Sequence, residues 1–185
     1  MPTHQHSFVD NRIHVEQGDI TGYSVDAIVN AANSQLAGGG GVDGAIHRAG
    51  GPAIKQACRE LRRTKYPQGL PAGEVAVTPG GNLPARHVIH TVGPIYGQEG
   101  GREAVLLAAC YRNALQLAAA NNWSSIAFPA ISTGVYGYPR EEAAEVASTA
   151  ILEFLKGNDR PTAVYLVFFL ADDAAVFLAH HKFPA

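Results

Sequence analysis

Two short segments of this chain carry residues whose types and spacing could do chemistry. The first runs Gly38-Gly39-Gly40-Gly41-Val42-Asp43-Gly44-Ala45-Ile46-His47. Its glycines leave the backbone open and feed a helix start. Such a segment presents amide N–H groups and a positive dipole end to an anion such as phosphate. Asp43 and His47 lie four residues apart there and share one helix face. An Asp at that position is an ordinary helix-start residue. A carboxylate held there is also a candidate general base. The second segment runs Ile131-Ser132-Thr133-Gly134-Val135-Tyr136-Gly137-Tyr138-Pro139. It joins a strand end to a helix start and mixes hydroxyls with glycines. Either loop alone reads as a tight turn. Together, in one sheet protein, they could close on both sides of a pyrophosphate.

The glycine excess behind these loops is local. Glycine makes up 20 of 185 residues, against a typical usage of roughly 7%. Gly38, Gly39, Gly40, Gly41, Gly44, Gly50 and Gly51 cluster without a three-residue period, which excludes collagen. Gly39 to Gly44 literally spells G-x-G-x-x-G, a weak signal by itself. The dinucleotide-binding version should follow its strand at once, yet Asn33–Ala37 intervenes. No Gly-Lys-Ser/Thr follows either, so this is not a Walker A loop.

Bulk properties exclude further classes. The formal net charge is −2, which advertises no broad nucleic-acid or anionic-membrane surface. The longest apolar run, Ala163 to Ala171, is too short for a membrane span. Met1-Pro2-Thr3-His4-Gln5-His6 lacks a signal-peptide apolar region, and Cys58 and Cys110 read as buried thiols. A cytoplasmic location is expected. His4/His6 and His180/His181 sit near the termini, and His87 and His90 fall on opposite strand faces. No zinc-type ligand set results, and neither a metal nor a cofactor is expected.

The elements that must position the two loops are legible from periodicity. Strands are expected at Arg12–Gln17, Asp26–Ala31, Glu74–Thr78, Arg86–Thr91, Ser125–Phe128 and Ala163–Leu170. Helices are expected over Val42–Ala49, from Pro52 onward, over Arg102–Asn121, from Pro139 to about Lys156, and from Asp172 to about His180. Strands alternating with helices imply a sheet covered on both faces. Ligands of such sheets sit where loops leave the carboxyl ends of the strands.

Several motifs, in order, resemble a macrodomain: Gly18-Asp19-Ile20-Thr21, Val29-Asn30-Ala31-Ala32-Asn33-Ser34, the glycine segment with Arg48, Leu83-Pro84-Ala85, Val88-Ile89-His90-Thr91-Val92-Gly93-Pro94, and Phe128 through Pro139. Within that family they resemble the MacroD-type bacterial O-acetyl-ADP-ribose deacetylases. The likeness spans about Arg12 to His180. It implies one α/β domain over residues 1–185, with three α/β/α layers and a mixed, mostly parallel, six-stranded sheet. It also implies a hydrolase that binds ADP-ribose and cleaves esters at its distal ribose, and nothing in the sequence suggests more than a monomer. Its partners would be ADP-ribose esters and ADP-ribosylated proteins. A non-catalytic ADP-ribose reader is the alternative, although readers would be expected to lack Asp43.

The resemblance also assigns roles. Asp19 accepts from the adenine amino group, with the Ile20 backbone beside it. Phe169 stacks on the adenine, although Phe168 is adjacent and points the other way. Gly40, Gly41 and Val42 donate backbone bonds to phosphate from one side. Ser132, Thr133, Gly134, Val135 and Tyr136 do so from the other, and Tyr136 also packs on the distal ribose. Asn33 holds the distal ribose hydroxyls. Asn30 locks its loop through backbone bonds. Either Asp43 or a substrate phosphate activates the water, with His47 orienting Asp43 or the loop. Gly69–Gly73 replaces the Cys-Pro-Thr-Gly-like segment of many relatives and bears no assigned role.

Overall fold

The protein is described by a computed structural model, over residues 5–185. Of the N-terminal residues considered above, Met1 to His4 lie outside the described residues. The strands are β1 (Gln5–Phe8), β2 (Ile13–Gln17), β3 (Ala27–Ala32), β4 (Val75–Pro79), β5 (His87–Val92), β6 (Ser125–Phe128) and β7 (Ala163–Phe168). The helices are α1 (Gly41–Gly50), α2 (Pro52–Thr64), α3 (Glu103–Ala120), α4 (Arg140–Lys156) and α5 (Ala171–His180). All strands join one sheet in the order β1-β2-β7-β6-β3-β5-β4. Its two outermost pairings are antiparallel, and the inner four are parallel.

The sheet therefore has seven strands, one more than expected. The additional strand, β1, pairs antiparallel with β2 from Gln5↔Glu16 to Phe8↔Ile13. Its sequence, Gln-His-Ser-Phe, is mostly exposed. An edge strand with no buried face needs no apolar alternation, so periodicity misses it. The hairpin turns through Val9, Asp10 and Asn11, all at positive φ.

Helices cover both faces. Alternation along β3 sends Ala27 and Val29 into a core with Leu107 and Leu115 of α3, Ile151 of α4 and Phe177 of α5. Ile28 and Ala32 point the other way, into a core with Ile46 of α1 and with Ile54 and Cys58 of α2. By the same alternation, Asn30 faces α1 and α2.

The topology also creates a crevice. β6 pairs with β3 only at Ala27↔Ile126 and Ile28↔Ala127. Beyond Ile28 the two strands diverge, so their carboxyl ends open a gap in the middle of the parallel region. That is where an open α/β sheet places its ligand.

Candidate active site

A cleft of about 730 Å³ occupies this gap, within the roughly 300–1,000 Å³ usual for small-molecule sites. Its walls are the segments that leave β2, β3, β5, β6 and β7. Of the sequence-predicted site residues, Asp19, Ile20, Asn33, Gly40, Gly41, Val42, Asp43, Ser132 through Tyr136 and Phe169 all line it. His47 is not among the lining residues and instead stands behind Asp43.

One wall is the start of α1. Gly40 is its N-cap and makes no side-chain capping bond. The first-turn amides of an uncapped helix are free donors, and the dipole there favours negative charge. The facing wall is the loop after β6. It closes by Gly137 N–H to Gly134 O at 3.0 Å and Tyr138 N–H to Ser132 O at 2.9 Å. Both donors lie beyond Tyr136, so this closure does not consume the N–H groups of residues 133–136. Ser132 adopts a left-handed φ of 66° and donates its Oγ–H to Pro94 O at 2.8 Å. That bond ties the loop to the segment after β5. Among the described residues, Arg48 is the one cation lining the cleft, against Asp19, Asp43 and Asp173. Neutral amide donors therefore make up most of the anion-binding capacity of these walls.

At one end of the cleft, Asp19 caps the 3-10 turn Ile20–Gly22 with one oxygen. Its Oδ1 accepts from Thr21 N at 3.0 Å and from Thr21 Oγ1 at 2.7 Å. Oδ2 takes part in neither bond. β7 stops at Phe168, two residues short of the expected strand end. Phe168 is 9% exposed and packs on Phe177, whereas Phe169 is 74% exposed at the rim. The exposed ring is the one available for stacking.

At the other end lie Asn33 and Asp43. Asn33 Nδ2 donates to Gly38 O at 2.9 Å, and its Oδ1 accepts from Ala37 N at 3.2 Å. These bonds close the loop that the glycines need to reach α1. Asp43 is only 6% exposed. Its Oδ1 accepts from Asn30 Nδ2 at 2.8 Å and lies 3.4 Å from His47 Nε2. Asn30 thus corrects the expectation of backbone locking, because its side chain reaches across to α1.

Sequence reasoning missed Arg48, Gly93 and Asp173 of the lining, and the buried group behind Asp43. That group comprises Asn30, His90 and Thr78, all buried. The available signal was polarity in the wrong place: Asn30 within Ala-Ile-Val-Asn-Ala-Ala, and His90 within Val-Ile-His-Thr-Val. Burial pushes the His90 imidazole down to about 3, with His47 adding to the effect. Burial, then the Asp43 charge, pushes the Cys58 thiol up to about 11. Among the described residues, no cluster of His, Cys, Asp and Glu could hold a metal ion. No helix there is long and apolar enough to cross a membrane.

The Macro domain family model matches residues 29–147, which include both walls of the cleft. The chain belongs to the macrodomain family. A Citrobacter koseri protein named O-acetyl-ADP-ribose deacetylase is 52% identical over 167 residues, covering 90% of this macrodomain and 93% of that protein. The Oceanobacillus iheyensis macrodomain with ADP superposes with a TM-score of 0.90 at 47% identity, covering 96% of this chain and 93% of that one. The Trypanosoma brucei macrodomain in complex with ADP-ribose gives a TM-score of 0.81 at 39% identity, covering 90% and 68%.

Proposed function

We propose that this macrodomain hydrolyses esters at the distal ribose of ADP-ribose, releasing ADP-ribose and a carboxylic acid. Relatives named O-acetyl-ADP-ribose deacetylase support that substrate class, and solved macrodomains hold ADP or ADP-ribose. Mono-ADP-ribose on acidic side chains carries the same kind of ester and makes modified proteins a second substrate. The chain works as one domain, since every strand joins a single sheet.

The observation that carries this reading is the unequal use of the Asp43 carboxylate. Oδ1 is held by Asn30 and His47. Oδ2 and Asn33 Nδ2 both flank Gly39. A carboxylate fixed by one oxygen can present the other to a water molecule. Asn33 is itself fixed by its two loop bonds and keeps one N–H and one lone pair for vicinal hydroxyls.

The ligand then lies across the sheet. Its adenine stacks on Phe169 and donates to Asp19, with the Ile20 backbone beside it. Gly40, Gly41 and Val42 donate to the pyrophosphate from one wall. Ser132, Thr133, Gly134, Val135 and Tyr136 donate from the other, and Tyr136 packs on the distal ribose. Asp43 orients a water molecule and takes its proton as the oxygen adds to the acyl carbonyl carbon. The bond from that carbon to the ribose oxygen breaks, and the ribose oxygen takes up the proton. His47 orients Asp43.

The test is a panel of ADP-ribose esters assayed for released ADP-ribose, with Asp43→Ala and Asn33→Ala alongside. Wild type should turn over esters, and both variants should lose turnover while still binding ADP-ribose. Binding without release from any ester would make this macrodomain a reader instead. Wild-type turnover in both variants would overturn the residue roles.

A further inference from the structure

Behind Asp43 a chain of hydrogen bonds runs down into the interior. Asn30 Nδ2 donates to Asp43 Oδ1 at 2.8 Å and lies 3.1 Å from His90 Nδ1. His90 Nε2 lies 2.9 Å from Thr78 Oγ1 and 3.8 Å from Cys58 Sγ. Thr78 Oγ1 donates to Pro79 O at 3.1 Å. Asn30 and His90 are fully buried, Thr78 nearly so, and none of the three lines the cleft. The parallel register sets Asn30 of β3 directly beside His90 of β5, and the antiparallel register brings β4 alongside.

Chemistry fixes the direction of every bond. A carboxylate oxygen only accepts, so the group facing Asp43 must be the Asn30 amide nitrogen. That nitrogen carries two hydrogens, and its second faces His90 Nδ1. Nδ1 must then be the bare nitrogen, which leaves the proton on Nε2. Nε2–H donates to Thr78 Oγ1, and the Thr78 hydroxyl passes its own hydrogen to Pro79 O. No member has freedom to reverse without setting donor against donor or acceptor against acceptor. Asn30 Oδ1 is left buried without a hydrogen-bond partner.

We propose that Asn30 is a positioning residue for Asp43, and that His90, held as its Nε2–H tautomer by Thr78, orients Asn30. The inference rests on the reading that Asp43 acts on the ester. The relay holds Oδ1 so that Oδ2 stays beside Gly39. It moves no proton during the reaction, because a neutral His90 with a bare Nδ1 is its working state. The titratable groups facing His90 are Cys58 from α2 and Asp43 and His47 from α1, whose His47 ring lies 6.3 Å away. Burial keeps His90 neutral throughout the working range.

The experiment compares Asn30→Ala, Asn30→Asp, His90→Leu and His90→Asn by kcat, KM and the pH profile of ester hydrolysis. Misplacing a reacting group costs on the order of a hundredfold, so Asn30→Ala and His90→Leu should lose about that much kcat with KM nearly unchanged. His90→Asn offers a carbonyl oxygen in place of Nδ1 and should recover to within about threefold of wild type. Asn30→Asp sets a second carboxyl against Asp43, so the acid limb of its kcat profile should move to higher pH. Wild-type kcat and pH profile in folded Asn30→Ala and His90→Leu would overturn the inference, while loss of turnover in Asp43→Ala would leave the catalytic reading standing. Wild-type turnover in Asp43→Ala would instead sink the catalytic reading itself. Nitrogen-15 NMR of histidine-labelled wild-type protein decides the case even if the variants do not fold. A protonated Nε2 and a bare Nδ1 on His90 are expected, and the opposite tautomer would overturn the relay.

Discussion

Asn33 and Asp43 both flank Gly39: a Cβ there would sit 3.9 Å from Asn33 Nδ2 and 3.6 Å from Asp43 Oδ2. Both distances are ordinary contacts, and Gly39 does not adopt a left-handed φ. The methyl of Gly39→Ala therefore fits, but it sits against both polar groups. Replacing glycine at an unstrained position favours folding by about 0.4–1 kcal/mol. The variant should melt at or slightly above the wild-type temperature. Displacing the reacting ester should lower kcat on the order of tenfold. Calorimetry and steady-state kinetics on the same preparation check both halves.

Gly44 and Gly93 behave differently because a methyl has no room there, against backbone at Gly44 and against packed side chains at Gly93. A Cβ on Gly44 would lie 2.3 Å from Gly39 O, within the wall of the cleft. A Cβ on Gly93 would lie 2.1 Å from Ser132 Oγ. Gly44→Ala and Gly93→Ala must shift one wall each, at a cost of about 1–3 kcal/mol. Both should melt lower and bind ADP-ribose more weakly, as measured by thermal denaturation and calorimetric titration. Weaker binding by Gly39→Ala than by these two would contradict the wall assignment.

Adjacent phenylalanines should separate stability from binding. Phe168→Ala removes a ring from the core beside Phe177, and such truncations cost about 3–5 kcal/mol. Phe169 is mostly exposed, so Phe169→Ala should change stability by no more than about 0.5 kcal/mol. Its loss should appear in ADP-ribose affinity, since stacking of a base on an aromatic ring contributes about 1–3 kcal/mol. Urea unfolding and calorimetry of the two variants would reverse the assignment if Phe168→Ala alone weakened binding.

How much of this was legible in the sequence follows from where each signal lies. Apolar periodicity located the inner strands, because buried strands such as Ala27–Ala32 must be apolar on both faces. It missed Gln5–Phe8, whose exposed edge position imposes no pattern. The two cleft loops were legible as loops, since glycines and hydroxyls at strand ends mark turns. Their facing across one gap is a property of sheet order, with β3 and β6 neighbours despite the long separation in sequence. Asn30 and His90 were visible only as polar residues inside apolar runs. Their pairing depends on the register of β3 against β5, which no local pattern encodes.

The buried His90 also predicts how acid should destabilise the protein. Its pKa in the folded protein is about 3, against roughly 6.5 in an unfolded chain. Below pH 6.5 the unfolded chain takes up a proton that the folded protein refuses. Stability is therefore full above about pH 6.5 and falls as the pH drops toward 3. One proton contributes a slope of up to about 1.4 kcal/mol per pH unit in that window. His181, also held below the usual histidine range by burial and by His6, adds to the slope in the same direction. The two contributions are separable, because His90→Asn removes only the first. Urea unfolding at pH 7, 6, 5 and 4 should give a steeper loss for wild type than for His90→Asn. Equal slopes would mean that His90 takes up its proton while the protein remains folded, which the Asn30 and Thr78 bonds forbid.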